Sequence, residues 1–258
     1  MKKTLKNLDV LALPAEKTLD LTVEAGAEVW VQEDEGNLRE REILMTLKQG
    51  ARVHWITRSE AHAEAKAKAL IKKKFILEEG AELDYFHHVF GNCEDSTEVV
   101  LKGGESRVHS QTLFFGQDSE KQNLTVNHVH QGKNTRSKMI SRGAVKDSAY
   151  SHFFGNITMQ PGCSGADGSL EEHNLLLSSG SKIEAVPALE VHHDEVQASH
   201  SATLERIDDE KLFYLQSRGL PSHEAMELLV EGFFWDALRK CPNLAFSERI
   251  FKELLRCL

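Results

Sequence analysis

A short pattern centred on Gly-Ala recurs along the chain and constrains its fold more than any other feature. The pattern is an aliphatic residue, two intervening residues, Gly-Ala, a polar residue and a second aliphatic residue. Three close copies occupy residues 23–29, 47–53 and 77–83. Looser copies occupy residues 101–108 and 177–183. The glycines of the first four copies are 24, 30 and 24 residues apart. Recurrence with a period of about 20–50 residues is typical of solenoids and other repeat folds.

Each copy is interpreted as a tight corner between two short strands. Glycine supplies the positive φ that such a corner needs, and segments between copies are β-prone and aromatic, as in Thr-Leu-Phe-Phe at 112–115. We therefore predict a mainly β fold, a right-handed parallel β-helix (solenoid) with an aliphatic interior, over residues 21–207, after a short lead-in at 1–20. A β-sandwich with glycine turns is the alternative, but the near-constant corner favours the solenoid. Residues 61–70 fall between two copies and are predicted as a strand, although their alanines and lysines also suit a helix.

The hydrophobic period changes to that of a helix from Asp208 onward, which predicts a helical subdomain over residues 208–258. Asp208 is a candidate N-cap and Gly219 a candidate left-handed end for the first helix, and Ser222 is a candidate cap for the second. The second helix is apolar around most of its circumference, so it is expected to lie between two surfaces. Its simplest role is a cap over the open solenoid end; contact with another chain is the alternative. The predicted helices cover residues 208–218, 222–239 and 244–257.

Composition narrows the possible functions. The chain has 258 residues and a net charge of −9, which argues against general binding to nucleic acid or to anionic membranes. No apolar run approaches the about 18 residues of a membrane span, and no signal-peptide core is present, so a cytoplasmic protein is expected. The motifs HExxH, GxSxG, GxxxxGK[ST] and GxGxxG are absent, so the chain is not expected to bind a nucleotide on its own.

Cysteines and histidines are the candidate metal ligands. The four cysteines are scattered without a CxxC pair, so neither a disulfide framework nor a Cys-only metal site within one chain is expected. Most histidines are expected to be solvent-facing. His128 and His130 are two residues apart on a predicted strand, so both rings face one side, a geometry that can bind metal.

Several motifs in fixed order resemble one known family. They are Asn-Leu-Leu-Leu at 174–177, Pro-Ala-Leu-Glu-Val at 187–191, Ala-Ser-His-Ser-Ala-Thr at 198–203, Leu-Phe-Tyr-Leu at 212–215 and Ser-Arg-Gly-Leu-Pro at 217–221. The resemblance is to the SufB/SufD family, the scaffold of the SUF machinery for iron–sulfur cluster assembly, and it is best over residues 155–235. Because the repeat begins almost at once, the chain looks like a short SufD-like or minimal SufBD member.

The resemblance also implies a site. In the SufD-like half of the family, the motif at 198–203 contains a histidine implicated in cluster assembly, and His200 retains it, whereas Ala198 replaces a cysteine. Glu172, with His173 beside it, matches a cysteine position of the SufB-like half. Cys163 is the nearest thiol. A transient Fe–S cluster is therefore expected near these residues, although a site without thiolate would hold a cluster weakly.

The resemblance further implies partners. A non-catalytic scaffold of this family would pair through its strands, as a homodimer or as a heterodimer with another SufB- or SufD-type chain. A separate SufC-type ATPase would dock on the helical subdomain, hydrolyse ATP and rearrange the dimer to expose the site near His200. The candidate docking residues are Leu212, Phe213, Tyr214, Arg218, Leu229, Phe233 and Phe234.

Two other functions stay open from the residues alone. A β-helix can carry a polysaccharide-active site on its flank, with Asp84, Asp147 and Asp194 as acid, base or metal ligand. That alternative predicts carboxylates clustered on one outer face and an exported protein. A structural partner that has lost the assembly site would also account for the missing cysteines.

Overall fold

The computed structural model describes residues 2–6, 8–13, 16–34, 40–61 and 68–256. Strands fill most of this part of the chain, and helices follow at its C-terminal side. The elements are β1 (Lys2–Leu5), β2 (Leu8–Ala12), β3 (Thr18–Val23), β4 (Glu28–Asp34), β5 (Glu40–Leu47), β6 (Arg52–Ala61), β7 (Ala69–Leu77), β8 (Glu82–Gly91), β9 (Cys93–Leu101), β10 (Arg107–Gly116), β11 (Lys121–His130), β12 (Arg136–Val145), β13 (Tyr150–Met159), β14 (Asp167–Leu176), β15 (Lys182–Val191), β16 (Gln197–Arg206), α1 (Asp209–Ser217), α2 (Ser222–Leu238) and α3 (Leu244–Arg256).

Consecutive strands alternate between two parallel sheets. Sheet A contains the odd-numbered strands in the order β1 to β15, and sheet B contains the even-numbered strands in the order β2 to β16. The chain therefore coils from one sheet to the other, and the predicted mainly β solenoid is confirmed. β1 and β2 pair with β3 and β4, so strand pairing starts before residue 21. Of the predicted strand at 61–70, residues 62–67 lie outside the described residues.

The corners from sheet A to sheet B form a hydrogen-bonded ladder. Gly26, Gly50 and Gly80 have φ of 67°, 65° and 63°, and a side chain at these positions would meet no atom within 4 Å. Each glycine amide donates to a carbonyl of the next coil at 2.8–2.9 Å. The fourth rung is Glu105, with φ of 61°, and not the expected Gly104. The looser copy at 177–183 lies at the opposite corner, between β14 and β15, so it is not a rung of this ladder.

The solenoid interior is less aliphatic than predicted. Inward side chains are apolar over most of its length, but the buried residues include Glu33, Arg41, Lys73 and Asp95. Arg41 Nε donates to Glu33 Oε1 at 2.8 Å, and Lys73 Nζ lies 3.7 Å from Asp95 Oδ2. Lys73 lies in a run of three lysines, where strict alternation along β7 turns only the middle one inward.

His128 and His130 also face the interior, so the expectation of solvent-facing rings is wrong for this pair. His128 Nε2 lies 3.0 Å from the Ser110 hydroxyl, and His130 is hydrogen-bonded to Thr135 and Ser137. Burial lowers the pKa of His128 to about 3 and that of His130 to about 4. Both rings are therefore neutral core groups near pH 7.

The helices begin and end within one residue of the predicted bounds over the described part of the chain, and residues 257 and 258 lie outside it. The Asp208 side chain caps α1, and Gly219 has φ of 96° after its end. Ser222 is not a cap, because α2 begins after Pro221 without a side-chain cap bond.

The helical subdomain packs on the outer face of sheet B, and the prediction that it caps the open solenoid end is wrong. Buried residues of α2 and α3 form one cluster with outward residues of β6, β8, β10, β12 and β14. Arg58 on β6 donates to Glu253 on α3 at 2.8 Å. α2 is thus sandwiched as its apolar circumference predicts, but against the flank of the solenoid. In contrast, α1 has no buried residue.

Candidate functional site

The last coil of the solenoid, formed by β15 and β16, leaves the open end uncovered. In the described part of the chain, β15 pairs only with β13, and β16 pairs only with β14. Every side chain of β16 is exposed except half-buried Ala198, and Leu204 is 54% exposed. On β15, Val186 and Val191 are 41% and 48% exposed. Apolar side chains beside free strand edges are a surface on which another strand can pair.

His200 and Glu172 lie on the same side of sheet B at this end. His200 is in register with Leu170, whose side chain is buried in the interior, so the His200 ring belongs to an inward column but is exposed on the last strand. Glu172 is two residues beyond Leu170 on β14 and is in register with Ala202. The two candidate ligands therefore lie on one face of sheet B, on neighbouring strands, and are offset by two residues along the strand direction.

The Glu172 carboxyl is fully buried, and neither of its oxygens has a hydrogen-bond partner. Burial raises its pKa to about 7. Gly155 lies opposite on sheet A, where a Cβ would be 3.0 Å from Glu172 Oε1. Gly155 thus leaves the space that the carboxyl occupies, and no described cation lies close enough to pair with it.

The other two predicted ligands lie elsewhere. His173 is on the outer face of sheet B, where its Nδ1 is 3.3 Å from the Thr203 hydroxyl, and burial lowers its pKa. Cys163 is fully buried in the corner between β13 and β14, and burial raises the pKa of its thiol. No cluster of three or more His, Cys, Asp or Glu side chains placed to hold a metal occurs in the described ranges. One chain therefore brings together His200 and Glu172, without His173 or Cys163.

The candidate docking residues differ in exposure. Phe213 and Tyr214 on α1 are 71% and 55% exposed, and the Arg218 guanidinium lies 5.2 Å from the Tyr214 ring centroid. Leu212 and Leu229 are half-buried.

The remaining two candidates face the solenoid. The half-buried ring of Phe233 packs edge-on against Phe234 and lies 5.6 Å from the Arg142 guanidinium. Phe234 is buried against sheet B, so it can reach a partner only if α2 moves. Sequence reasoning missed Leu228 and Trp235, which are exposed and seven residues apart on α2. That spacing places them on one face of the helix. The sequence does not reveal this exposed face, because α2 is apolar around most of its circumference.

The carboxylates of the polysaccharide alternative do not share a face. Asp84 lies on the outer face of sheet B, 2.9 Å from His54 Nδ1. Asp147 lies at a corner from sheet B to sheet A, and Asp194 lies at a corner from sheet A to sheet B. The three groups therefore cannot act as one acid–base pair or metal site.

The fold and the uncovered end define a class of protein, a parallel β-solenoid with a helical flank and one uncovered end. Comparison with known families identifies the family. The family model described as "SUF system FeS cluster assembly, SufBD core domain" matches residues 14–233. The chain belongs to this SufBD core family.

Curated relatives carry names from the same system. The iron–sulfur cluster assembly protein SufD of Bacillus subtilis is 34% identical over 166 residues, which are 64% of this chain and 38% of that protein. A SufBD family protein of Mycobacterium leprae is 33% identical over 62% of this chain and 43% of its own length. One of Mycobacterium tuberculosis is 32% identical over 54% and 37%. The chain thus matches about two fifths of these relatives' length. Among the described residues, no helix is long and apolar enough to cross a membrane.

Proposed function

We propose that this chain is a cytoplasmic, non-catalytic scaffold on which a transient Fe–S cluster is built, together with a SufC-type ATPase that hydrolyses the ATP. The cluster is cargo in this proposal. The observation that carries it is the uncovered end of the solenoid, where His200 is exposed beside the buried carboxyl of Glu172. Imidazole nitrogen and carboxylate oxygen are both ligands for iron.

A second chain completes the site. One chain supplies only two of the candidate ligands at this end, and a cluster needs about four. Pairing of the free edges of β15 and β16 with the same edges of a second copy, or of another SufB- or SufD-type chain, would cover Leu204 and Val191. A two-fold arrangement would also bring two copies of His200 toward one another.

The ATPase docks on α1 and on the exposed face of α2. α1 contributes the exposed side chains of Phe213 and Tyr214, and none of its residues is buried. α2 is tied to the solenoid by side-chain bonds to its backbone carbonyls, from Gln111 to Ala237 at 2.8 Å and from Arg142 to Phe233 at 3.0 Å. Movement of the docked helices would therefore reach β10 and β12 directly.

The docking proposal is tested by anaerobic co-purification with the host's SufC-type ATPase. Phe213→Ser should abolish co-elution, because Phe213 is a large exposed anchor on α1. Leu244→Ser is the matched control, since Leu244 on α3 is 69% exposed but lies off α1. If both variants co-elute like the wild type, the docking surface is wrong; if the wild type ignores the ATPase, the partnership itself is wrong.

The cluster proposal is tested by measuring iron and sulfide bound to the purified complex after anaerobic reconstitution. His200→Ala should lower bound iron several-fold, whereas His192→Ala, an exposed histidine at the same end, should not. Equal iron in both variants would remove His200 from the site. Absence of iron from the wild-type complex would favour the purely structural partner.

A further inference from the structure

Six polar atoms without a hydrogen-bond partner are concentrated in one part of the solenoid interior. They are Thr112 Oγ1, Ser141 Oγ, both carboxyl oxygens of Glu172, and Oδ1 and Nδ2 of Asn174. Each of the four side chains is at most 1% exposed. Buried polar groups in proteins nearly always have partners, and an orphaned cluster points to ordered water or an ion that satisfies it.

These side chains are consecutive in space. Thr112 on β10 is in register with Ser141 on β12, and Ser141 is in register with Glu172 on β14. All three belong to one inward column, and Asn174 follows Glu172 on the same face. Adjacent rungs of a parallel sheet are about 4.8 Å apart, which agrees with the absence of direct bonds between the hydroxyls and the carboxyl.

That spacing fits water. An oxygen bonded at about 2.8 Å to each of two others joins groups about 4.5 Å apart, close to the rung spacing. A water can donate and accept, so it serves a hydroxyl, a carboxyl and an amide alike. On the opposite wall Gly155 has no side chain, so no Cβ crowds the Glu172 carboxyl from that side.

We propose that the space between Thr112, Ser141, Glu172 and Asn174 is a binding site for a short file of ordered water molecules inside the solenoid. The waters bridge Thr112 to Ser141 and Ser141 to Glu172, and they serve the Asn174 amide. They explain how the core retains a carboxyl that faces no cation. This inference does not depend on the role in cluster assembly.

The sign of one stability change tests the proposal. Thr112→Val preserves the shape of the side chain and removes only the hydroxyl. In a hydrated site it removes a bond to water and should lower the folding equilibrium constant on the order of fivefold. In a dry site it removes an unsatisfied hydroxyl, so the folding equilibrium constant should rise, and that result would overturn the proposal.

Thr135→Val is the matched control. Thr135 is equally buried, but its hydroxyl bonds His130 Nδ1 at 2.7 Å and the Gly132 carbonyl at 3.2 Å, so this variant must destabilise. A second measurement counts long-lived internal waters in the full chain by ¹⁷O relaxation dispersion. Ser141→Val should hold at least one fewer than the wild type. An unchanged count, or a metal ion at the site in a crystal structure, would refute the water file.

Discussion

Among the described residues, two parts of the solenoid interior contain buried charged side chains, and the charges are paired in one part and unpaired in the other. Between β4 and β9, charges are paired: Arg41 contacts Glu33, and both Lys73 and His87 lie within 3.7 Å of Asp95. Near the open end, Glu172 on β14 has only neutral groups for neighbours in its column. A buried pair is compensated within the fold, whereas a lone buried carboxyl costs stability unless something else satisfies it.

The difference agrees with a structural role for the paired charges and with the role proposed for Glu172. The paired charges are parts of the core, because each holds its partner in place and neither reaches the surface. Glu172 contributes no such pair, lies one strand from the edge and shares a face with His200. An unpaired buried carboxyl lowers the stability of the folded state, and such a loss is expected at a functional site more than in a purely structural core.

Breaking a pair should have the largest effect. Arg41→Met leaves the Glu33 carboxylate buried without its cation and should lower the free energy of unfolding by about 3–5 kcal/mol. Urea denaturation followed by circular dichroism measures the change. The double variant Arg41→Met/Glu33→Leu should recover most of the loss, because it removes both charges together. A single variant as stable as the wild type would show that the pair contributes little.

Neutralising the unpaired carboxyl of Glu172 should raise the free energy of unfolding. Burial raises the Glu172 pKa from 4.5 to about 7, so the folded state binds the proton more tightly than the unfolded state. The contribution of Glu172 to the free energy of unfolding is then largest below pH 4.5 and is lost as the pH rises toward 7. Glu172→Gln should remove this loss and be more stable than the wild type at pH 8, by up to about 3 kcal/mol. Parallel stability curves for the two proteins between pH 4 and 8 would contradict this prediction.

An ion pair on the outer face should matter least. His54 lies between Asp84 and Glu28, and its hydrogen bond to Asp84, ahead of the other contacts, raises its pKa above 6.5. The stabilisation is fully present below pH 6.5 and is lost as the pH rises through the raised pKa. Asp84→Asn should therefore destabilise by no more than about 1 kcal/mol. The loss should be seen at pH 5 and should vanish at pH 9; equal losses at both would exclude the charge on His54 as the cause.

The sequence predicts the repeated parts of this molecule well and its interior poorly. Glycine corners and the Asp208 cap act through local backbone preferences, which residues a few positions apart reveal. The partner of Lys73 is Asp95 on β9, and the register of the stacked coils is needed to show that these two charges meet in the interior. Adjacent residues on a strand face opposite sides of the sheet, but the sequence alone does not show which of Glu171 and Glu172 faces the interior.

The family resemblance supplied four candidate ligands, and the structure places two of them on one face. Motif order pointed to His200 and Glu172, and the structure brings them to one face. It separates His173 and Cys163 because an odd offset along the strand turns the first outward, and a corner buries the second. The exposed Trp235 went unnoticed because a helix that is apolar all round gives no sign of which side is covered.

The unbroken strand register determines how such a chain can change length during evolution. Among the described strand pairs, a register shift occurs only between β2 and β4. One residue gained inside a strand would exchange inner and outer faces for the rest of that strand. An insertion or deletion of a complete coil would keep every face, because each coil presents the same ladder to the next. Single-residue changes are tolerable only outside the strands, as at the fourth rung, where the loop is one residue longer and Glu105 takes the place of glycine. Relatives of different length should therefore differ by whole coils, or at their corners.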